Sequence, residues 1–158
     1  MTLLHPPPVT TRPPRDTAGW TRLFELDALP VLAETARSLE EFRANEDAVD
    51  AHRLAETIAA DPIMTLKLLA HIGHLRRGRE GGEPETVTAA LVMLGIPPFF
   101  RRFGPQAAIE DMLQGQPEAL DGFRAVMRRC QRAANFATGF AVQRLDHDVA
   151  VIHAAALL

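Results

Sequence analysis

The feature that most constrains the fold is a long helical seam in the C-terminal half of the sequence. Between about residues 117 and 145, apolar or small side chains recur at steps of three and four residues. This spacing places them on one face of an α-helix. The seam positions are Phe123, Met127, Cys130, Ala134, Ala137, Ala141 and Leu145. Because most of them are small, they predict a long helix against which a neighbouring helix packs closely.

Shorter stretches upstream show the same periodicity. The spacing predicts one helix from Val31 to Phe42 and a second from about Asp50. A third begins at Asp61-Pro62, because aspartate accepts hydrogen bonds from the free N–H groups of a first turn and proline fits that turn. Its apolar stripe is expected at Ile63, Leu66, Leu69 and Ala70, broadened by Met64 and Leu68.

A fourth, short helix is predicted between Thr86, which can cap it, and Gly95, which can end it. Residues 96–113 are helical in pattern with a break at Gly104-Pro105, and residues 76–85 form a glycine-rich loop. No stretch alternates apolar and polar residues in the way a half-buried strand does. The sequence therefore predicts an all-α, compact multi-helix domain of about six to seven helices.

The first sixteen residues contain five prolines, which remove backbone donors and favour extended chain. We expect a disordered tail over residues 1–18 and a helical domain over residues 19–158. A net charge of −3 gives no general attraction for nucleic acids or anionic membranes. The single cysteine fits a reducing compartment, and no apolar run could span a bilayer. We therefore expect a cytoplasmic protein with no membrane association and no cofactor, for which nucleic acid is an improbable partner.

Three short features follow one another along the chain: Leu29-Pro30, then Asp61-Pro62 followed by Leu68-Leu69, then Leu94-Gly95. Their order resembles the HDOD family, the HD-related output domains of bacterial signalling proteins. The resemblance covers roughly residues 26–158 and corresponds to the N-terminal portion of such a domain. It implies an HD-like helical fold and a non-catalytic role in signal transduction, exerted through protein–protein contacts.

The same resemblance places the residues of a working HD site. The family register puts the first metal-binding histidine at Arg129, and arginine cannot ligate a metal. The family's His-Asp pair would follow Leu158, so His147-Asp148 lies about ten residues too early. We predict instead that Asp146 or Asp148 caps the last helix. No catalytic or metal-binding residue is therefore expected, although a metal-dependent HD-superfamily phosphohydrolase with part of its site missing is the first alternative.

Other side chains have ordinary interpretations beside functional ones. His71 and His74 could share a helical face and bind a metal, but no third ligand has a diagnostic spacing. His153 is expected to pack with a hydrogen bond, and Cys130 to be a core residue. Arginines in the loop (Arg76, Arg77 and Arg79) and along the long helix (Arg124, Arg128 and Arg132) are expected to be solvated, the latter beside carboxylates. The second set is also a candidate basic surface, which makes a helical nucleic-acid-binding module the second alternative.

The final ten residues, VAVIHAAALL, are apolar almost throughout. A helix of this composition leaves more apolar surface in water than a monomer usually exposes. We therefore expect a homodimer, with Val149, Ile152 and Ala156 at or near the contact.

Overall fold

The computed structural model describes residues 15–16, 29–76 and 84–158, and these residues are predominantly α-helical. In this part of the chain the helices are α1 (Ala33–Ala44), α2 (Ala51–Ala59), α3 (Pro62–Arg76), α4 (Val87–Leu94), α5 (Ile96–Arg102), α6 (Ile109–Met112), α7 (Pro117–Gln143) and α8 (Val149–Leu157). A 3-10 turn, Glu46–Ala48, follows α1. The all-α prediction is confirmed. The described residues contain eight helices because the segment after Gly95 forms two, α5 and α6.

Within the described ranges, β-type pairing is confined to one isolated bridge between Val31 and Ala108. The predicted first helix therefore begins at Ala33 rather than at Val31. The predicted tail, residues 1–18, lies outside the described residues except for Arg15 and Asp16, as do Arg77 and Arg79 of the loop. None of the described helices combines the length and the apolarity needed to cross a membrane.

Side-chain caps mark where two of the helices, α2 and α4, begin, and a glycine marks where α4 ends. The carboxylate of Asp50 accepts a hydrogen bond from the backbone N–H of His52 at the start of α2. The Thr86 hydroxyl accepts one from Ala89 at 3.1 Å at the start of α4. Gly95 ends α4 with φ of 83° and ψ of 153°, a conformation that is open almost only to glycine. These boundaries agree with the predicted ones.

The hydrophobic core lies among α1 to α5 and is built mainly from large side chains. Three phenylalanines form its centre, with the Phe99 ring 5.2 Å from the rings of both Phe100 and Phe103. The buried cluster comprises Val31, Leu39, Leu54, Ala55, Ile58, Met64, Leu68, Ile72, Val87, Ala90, Leu91, Phe99, Phe100 and Phe103. We refer to α1–α5 as the bundle.

The apolar stripe predicted for the buried face of α3 is wrong at its central position, Leu66. The helix buries Met64, Leu68 and Ile72, whereas Leu66 is 39% exposed and Ile63 is only partly buried. The helix is apolar on nearly every side, so the spacing alone does not indicate which side faces the core. Contacts with neighbouring helices decide the orientation.

Helices α7 and α8 form a hairpin whose contacts are mainly with each other. The interface is lined by small side chains as predicted, and its buried residues are Ala134, Ala141, Ala154 and Leu157. Leu145 was expected to end the seam but lies beyond α7 and is 82% exposed. Its φ of 54° turns the chain out of the helix, and the N–H of Asp146 bonds back to the Ala141 carbonyl.

Candidate functional site

Two of the three features that carry the family resemblance, Leu29-Pro30 and Asp61-Pro62, meet at a buried junction before α1. We call residues 29–33 the lead-in segment. Asp61, which is fully buried, accepts hydrogen bonds through Oδ1 from the N–H groups of Ile63 and Met64, at 2.8 and 3.0 Å. Its Oδ2 accepts a further bond from the N–H of Leu32 at 2.9 Å. A single carboxylate therefore caps α3 and fixes the lead-in segment to it.

Lys67, the one lysine of the sequence, is buried at the same junction. Its Nζ donates to the Leu29 carbonyl at 2.8 Å and to Oε1 of Gln106. A buried ammonium group is costly unless its donors are satisfied, and these acceptors contribute to that. Sequence reasoning missed this role, since the rarity of lysine beside sixteen arginines says nothing about where the lysine lies.

The lead-in segment is also bound from its other side. The N–H of Val31 donates to Ala107, and the Val31 carbonyl accepts from Ile109, both at 2.9 Å. A Glu110 carboxylate oxygen accepts from Ala33 at 2.8 Å and so caps α1 from α6. The motif residues Leu29, Pro30, Asp61 and Pro62 thus belong to a structural junction. Leu68 supports it from the core, Leu69 is partly buried against that core, and Leu94-Gly95 forms the separate turn between α4 and α5.

The His147-Asp148 pair lies in an exposed turn between α7 and α8. Asp148 occupies the N-cap position of α8, but its side chain makes no capping hydrogen bond. The carboxylate of Asp146 instead accepts from the N–H of Asp148 at 3.1 Å. The prediction that Asp146 or Asp148 caps α8 is therefore wrong. The Asp146 carboxylate stabilises the turn before the helix, and neither aspartate side chain accepts a hydrogen bond from the first N–H groups of α8.

His153 lies at a shallow cleft between the bundle and the hairpin. Its Nδ1 is 3.1 Å from the Thr138 hydroxyl, so the expected hydrogen-bonded histidine is confirmed. The cleft has a volume of about 370 Å³ and is largely apolar. Its walls are formed by Ala59, Thr65, Thr86, Val87, Thr88, Thr138, Val149, Ala150, His153, Ala154 and Leu157. The Thr65 hydroxyl is already bonded to the Ile58 carbonyl, which leaves few polar groups facing the cleft.

The remaining candidate ligands are apart or engaged elsewhere. His71 packs edge-on against the Phe103 ring, with centroids 5.4 Å apart, and its Nδ1 accepts from the Arg102 guanidinium at 3.3 Å. His74 is exposed, and Cys130 is a free, half-buried thiol. Over the residues that the structure describes, no three histidine, cysteine or carboxylate side chains are grouped as metal ligands.

The arginines of the candidate basic surface on α7 are exposed. Arg124, Arg128 and Arg132 all face solvent, as does Arg129 beside them. The expected carboxylates are missing from most of it: Asp121 lies 3.8 Å from Arg124, and the structure gives the other three no ion pair among the described residues. Elsewhere arginines are engaged, for example Arg43 with Glu40 on α1, where the hydrogen bond lowers the pKa of the Glu40 carboxyl.

A second feature of α7 was missed by sequence reasoning. Phe136 and Phe140 are 70% and 65% exposed, and Val126 is 40% exposed. With Arg129 and Ala133 they are spaced by three and four residues, so they form a second seam on a different side of the helix. The same spacing was visible in the sequence. It was overlooked because the first seam already accounted for a packing face.

The three self-association candidates on α8, Val149, Ile152 and Ala156, are all half-buried, and Val149 lines the cleft.

Comparisons with protein-family models, with curated proteins and with solved structures find no match for this chain.

Proposed function

We propose that this chain is an HDOD-type output module, which acts without catalysis through protein–protein contacts in bacterial, cytoplasmic signal transduction. The observation that carries the proposal is the buried junction around Asp61. Two of the three family features, Leu29-Pro30 and Asp61-Pro62, meet there although they are about thirty residues apart in sequence.

The junction supports a structural role for these residues. Both carboxylate oxygens of Asp61 accept backbone N–H bonds, and its side chain is completely enclosed. A general base or a metal ligand needs an oxygen that reaches substrate or metal. Asp61 offers neither oxygen to solvent, so its chemistry is that of a cap.

The positions relevant to an HD site also support a role without catalysis. Arg129, in the register of the first histidine, is exposed on the outer side of α7. His147 and Asp148 are in the exposed turn, whereas His153 faces the cleft beside Thr138. These groups do not converge on one pocket in the way that metal-assisted hydrolysis requires.

A contact role is supported by the apolar side chains exposed on α7. Two phenylalanines four residues apart that remain about two-thirds exposed are unusual on a free surface, and adjoining exposed apolar groups often mark binding sites. Aromatic side chains and arginines are also the residues most enriched where proteins bind one another.

Metal content and hydrolysis together test the proposal. The purified chain, incubated with Mn²⁺, Fe²⁺, Ni²⁺ or Zn²⁺ and then desalted, is expected to retain no stoichiometric metal by elemental analysis. It is also expected to hydrolyse phosphodiesters and nucleotides no faster than a heat-denatured sample. About one metal per chain, or turnover above that of the denatured sample, would contradict the proposal and favour the phosphohydrolase alternative. His147→Ala is the control and should leave any trace metal unchanged.

A further inference from the structure

We propose that the outer side of α7 is the docking site for one acidic, amphipathic helix of a partner protein. The outer seam consists of Val126, Arg129, Ala133, Phe136 and Phe140. The inference rests on the proposed function, in that it assumes action through protein contacts, and it specifies the chemistry of the partner.

The spacing of the outer seam is that of a helix-packing surface. Its positions step by three, four, three and four residues, which is the repeat with which one helix fits side chains between those of another. From Val126 to Phe140 the seam extends about 21 Å, or roughly four helical turns. α7 therefore carries two such seams. The inner one packs against α8, and the outer one faces solvent.

Exposure shows that the described residues of this chain leave the outer seam uncovered. Phe136 and Phe140 are 70% and 65% exposed, in contrast to the fully buried Phe99 of the bundle. Ala133, between them and Val126, is small and exposed, so a helix could approach α7 closely at this position. A helix laid along the seam would cover both aromatic rings at once.

Charge determines the kind of helix that fits. From residue 122 to residue 145 the sequence contains five arginines and no carboxylate, although the whole chain carries −3. The exposed members are Arg124, Arg128, Arg129, Arg132 and Arg144. Arg129 is part of the seam itself, so docking would bury it, and a buried guanidinium needs a carboxylate partner. The occupant should therefore carry acidic residues beside its apolar ones, with one opposite Arg129.

The same charges argue against a second copy on this surface, because pairing α7 with α7 would place Arg129 of both copies in one interface, and residues 122–145 of neither copy include an acidic group to pair with it. A nucleic acid would match the charge but not the three-four repeat, which is a property of helices. An anionic membrane has no such repeat either. Of these partners, the acidic helix alone matches both the spacing and the charge.

A synthetic peptide tests the inference on the full chain. The probe is a fluorescein-labelled helical peptide of about 21 residues, long enough to span the seam. It carries leucine at its seam positions, glutamate at the flanking positions and one glutamate in the middle of the seam. Fluorescence anisotropy should show saturable binding that weakens as salt is raised. A matched peptide with lysine in place of every glutamate should bind at least about tenfold more weakly.

Variants locate the binding surface. Phe136→Ala and Phe140→Ala should each weaken binding of the acidic peptide by about tenfold or more, as central aromatic contacts do. Arg129→Gln should act in the same direction. The control is Val92→Ala, which removes an apolar side chain that is 79% exposed on α4, and its affinity should equal that of the unaltered chain. All four variants should keep the melting temperature of the parent.

Several outcomes would overturn the inference. One is no binding of the acidic peptide, and another is equal binding of the lysine peptide. Tighter binding of a single-stranded oligonucleotide or of phosphatidylserine vesicles, lost in Phe136→Ala, would assign the seam to those partners. A dimer that Phe136→Ala converts to monomer would assign it to a second copy. Metal-dependent turnover, by contrast, would refute the proposed function whatever the peptide does, so the two failures are distinguishable.

Discussion

The bundle and the α7–α8 hairpin use phenylalanine in opposite ways. In the bundle, Phe99, Phe100 and Phe103 are buried against one another in the core. In the hairpin the buried positions are mainly alanines, whereas Phe136 and Phe140 face solvent. The larger apolar side chains thus stabilise the first region and remain exposed on the second.

Apolar burial contributes about 25 cal/mol per Å² to folding, so regions that bury large side chains gain most. The bundle gains from its aromatic and aliphatic core. The hairpin gains less, because an alanine offers little area, and it leaves area on its outer side that a partner could cover. The comparison indicates that the bundle contributes more of the stability, while the proposed docking role would give the hairpin the surface for contact.

The largest expected effect contrasts two phenylalanines. Phe99→Ala should lower the free energy of unfolding by about 3–5 kcal/mol, because it leaves a cavity in a packed core. Phe136→Ala should change it by no more than about 0.5 kcal/mol, as substitutions at exposed sites usually do. Urea unfolding of both variants checks this. Similar losses in the two would show that Phe136 also stabilises the fold.

The next effect concerns the junction that positions the bundle. Asp61→Ala would leave the N–H groups of Leu32, Ile63 and Met64 without their acceptor. We expect a loss of about 2–4 kcal/mol in unfolding free energy, since a cap and a buried cross-link disappear together. Asp50→Ala, at an exposed cap, should cost about 1 kcal/mol. Equal losses in the two variants would mean that the bond to Leu32 adds nothing.

Two adjacent alanines of α7 test the hairpin. Ala134 is fully buried, and Ala133 is exposed on the outer seam. Ala134→Leu should destabilise the chain by about 1–3 kcal/mol through overpacking. Ala133→Leu should stay within about 0.5 kcal/mol of the parent. Thermal unfolding of the two variants measures the difference. If Ala133→Leu were the more destabilising variant, Ala133 rather than Ala134 would be the alanine packed inside the hairpin.

The smallest expected effect is weak self-association through α8. Its apolar surface near Val149, Ile152 and Ala156 should favour a dimer at high micromolar concentration, and Ile152→Glu should shift the mass toward monomer. Light scattering over a concentration series measures this. A monomeric mass throughout the series would reject the dimer and leave the outer seam of α7 unaffected.

Much of the fold could be predicted because local chemistry determines it. Asp50, Asp61 and Thr86 cap helices where their sequence positions indicate, and Gly95 ends α4 in a conformation that suits only glycine. The centre of the α3 stripe could not be predicted, because a helix that is apolar all round has no preferred side until its neighbours are placed. The exposure of Leu145 could not be predicted either. It follows from a positive φ at this residue, which takes the chain out of α7 and which is uncommon for leucine.

The candidate site was predicted only in part. The arginines of α7 stood out by their spacing, and their exposure is confirmed. The outer seam escaped notice because a seam in the sequence does not reveal whether it is buried or free. The burial of Lys67 depends on Leu29 and Gln106, each nearly forty residues away in sequence. Contacts at that distance leave no local pattern to recognise.

The most direct test of the account measures stability and binding on the same preparations. In Phe136→Ala and Phe140→Ala, we predict that the affinity for the acidic helical peptide falls by about tenfold or more while the unfolding free energy stays within about 0.5 kcal/mol of the parent. That result would show that the two phenylalanines contribute to peptide binding and not to the stability of the fold, as the comparison of bundle and hairpin predicts. Unchanged affinity in both variants, or a loss of affinity that only follows a loss of folded protein, would contradict it.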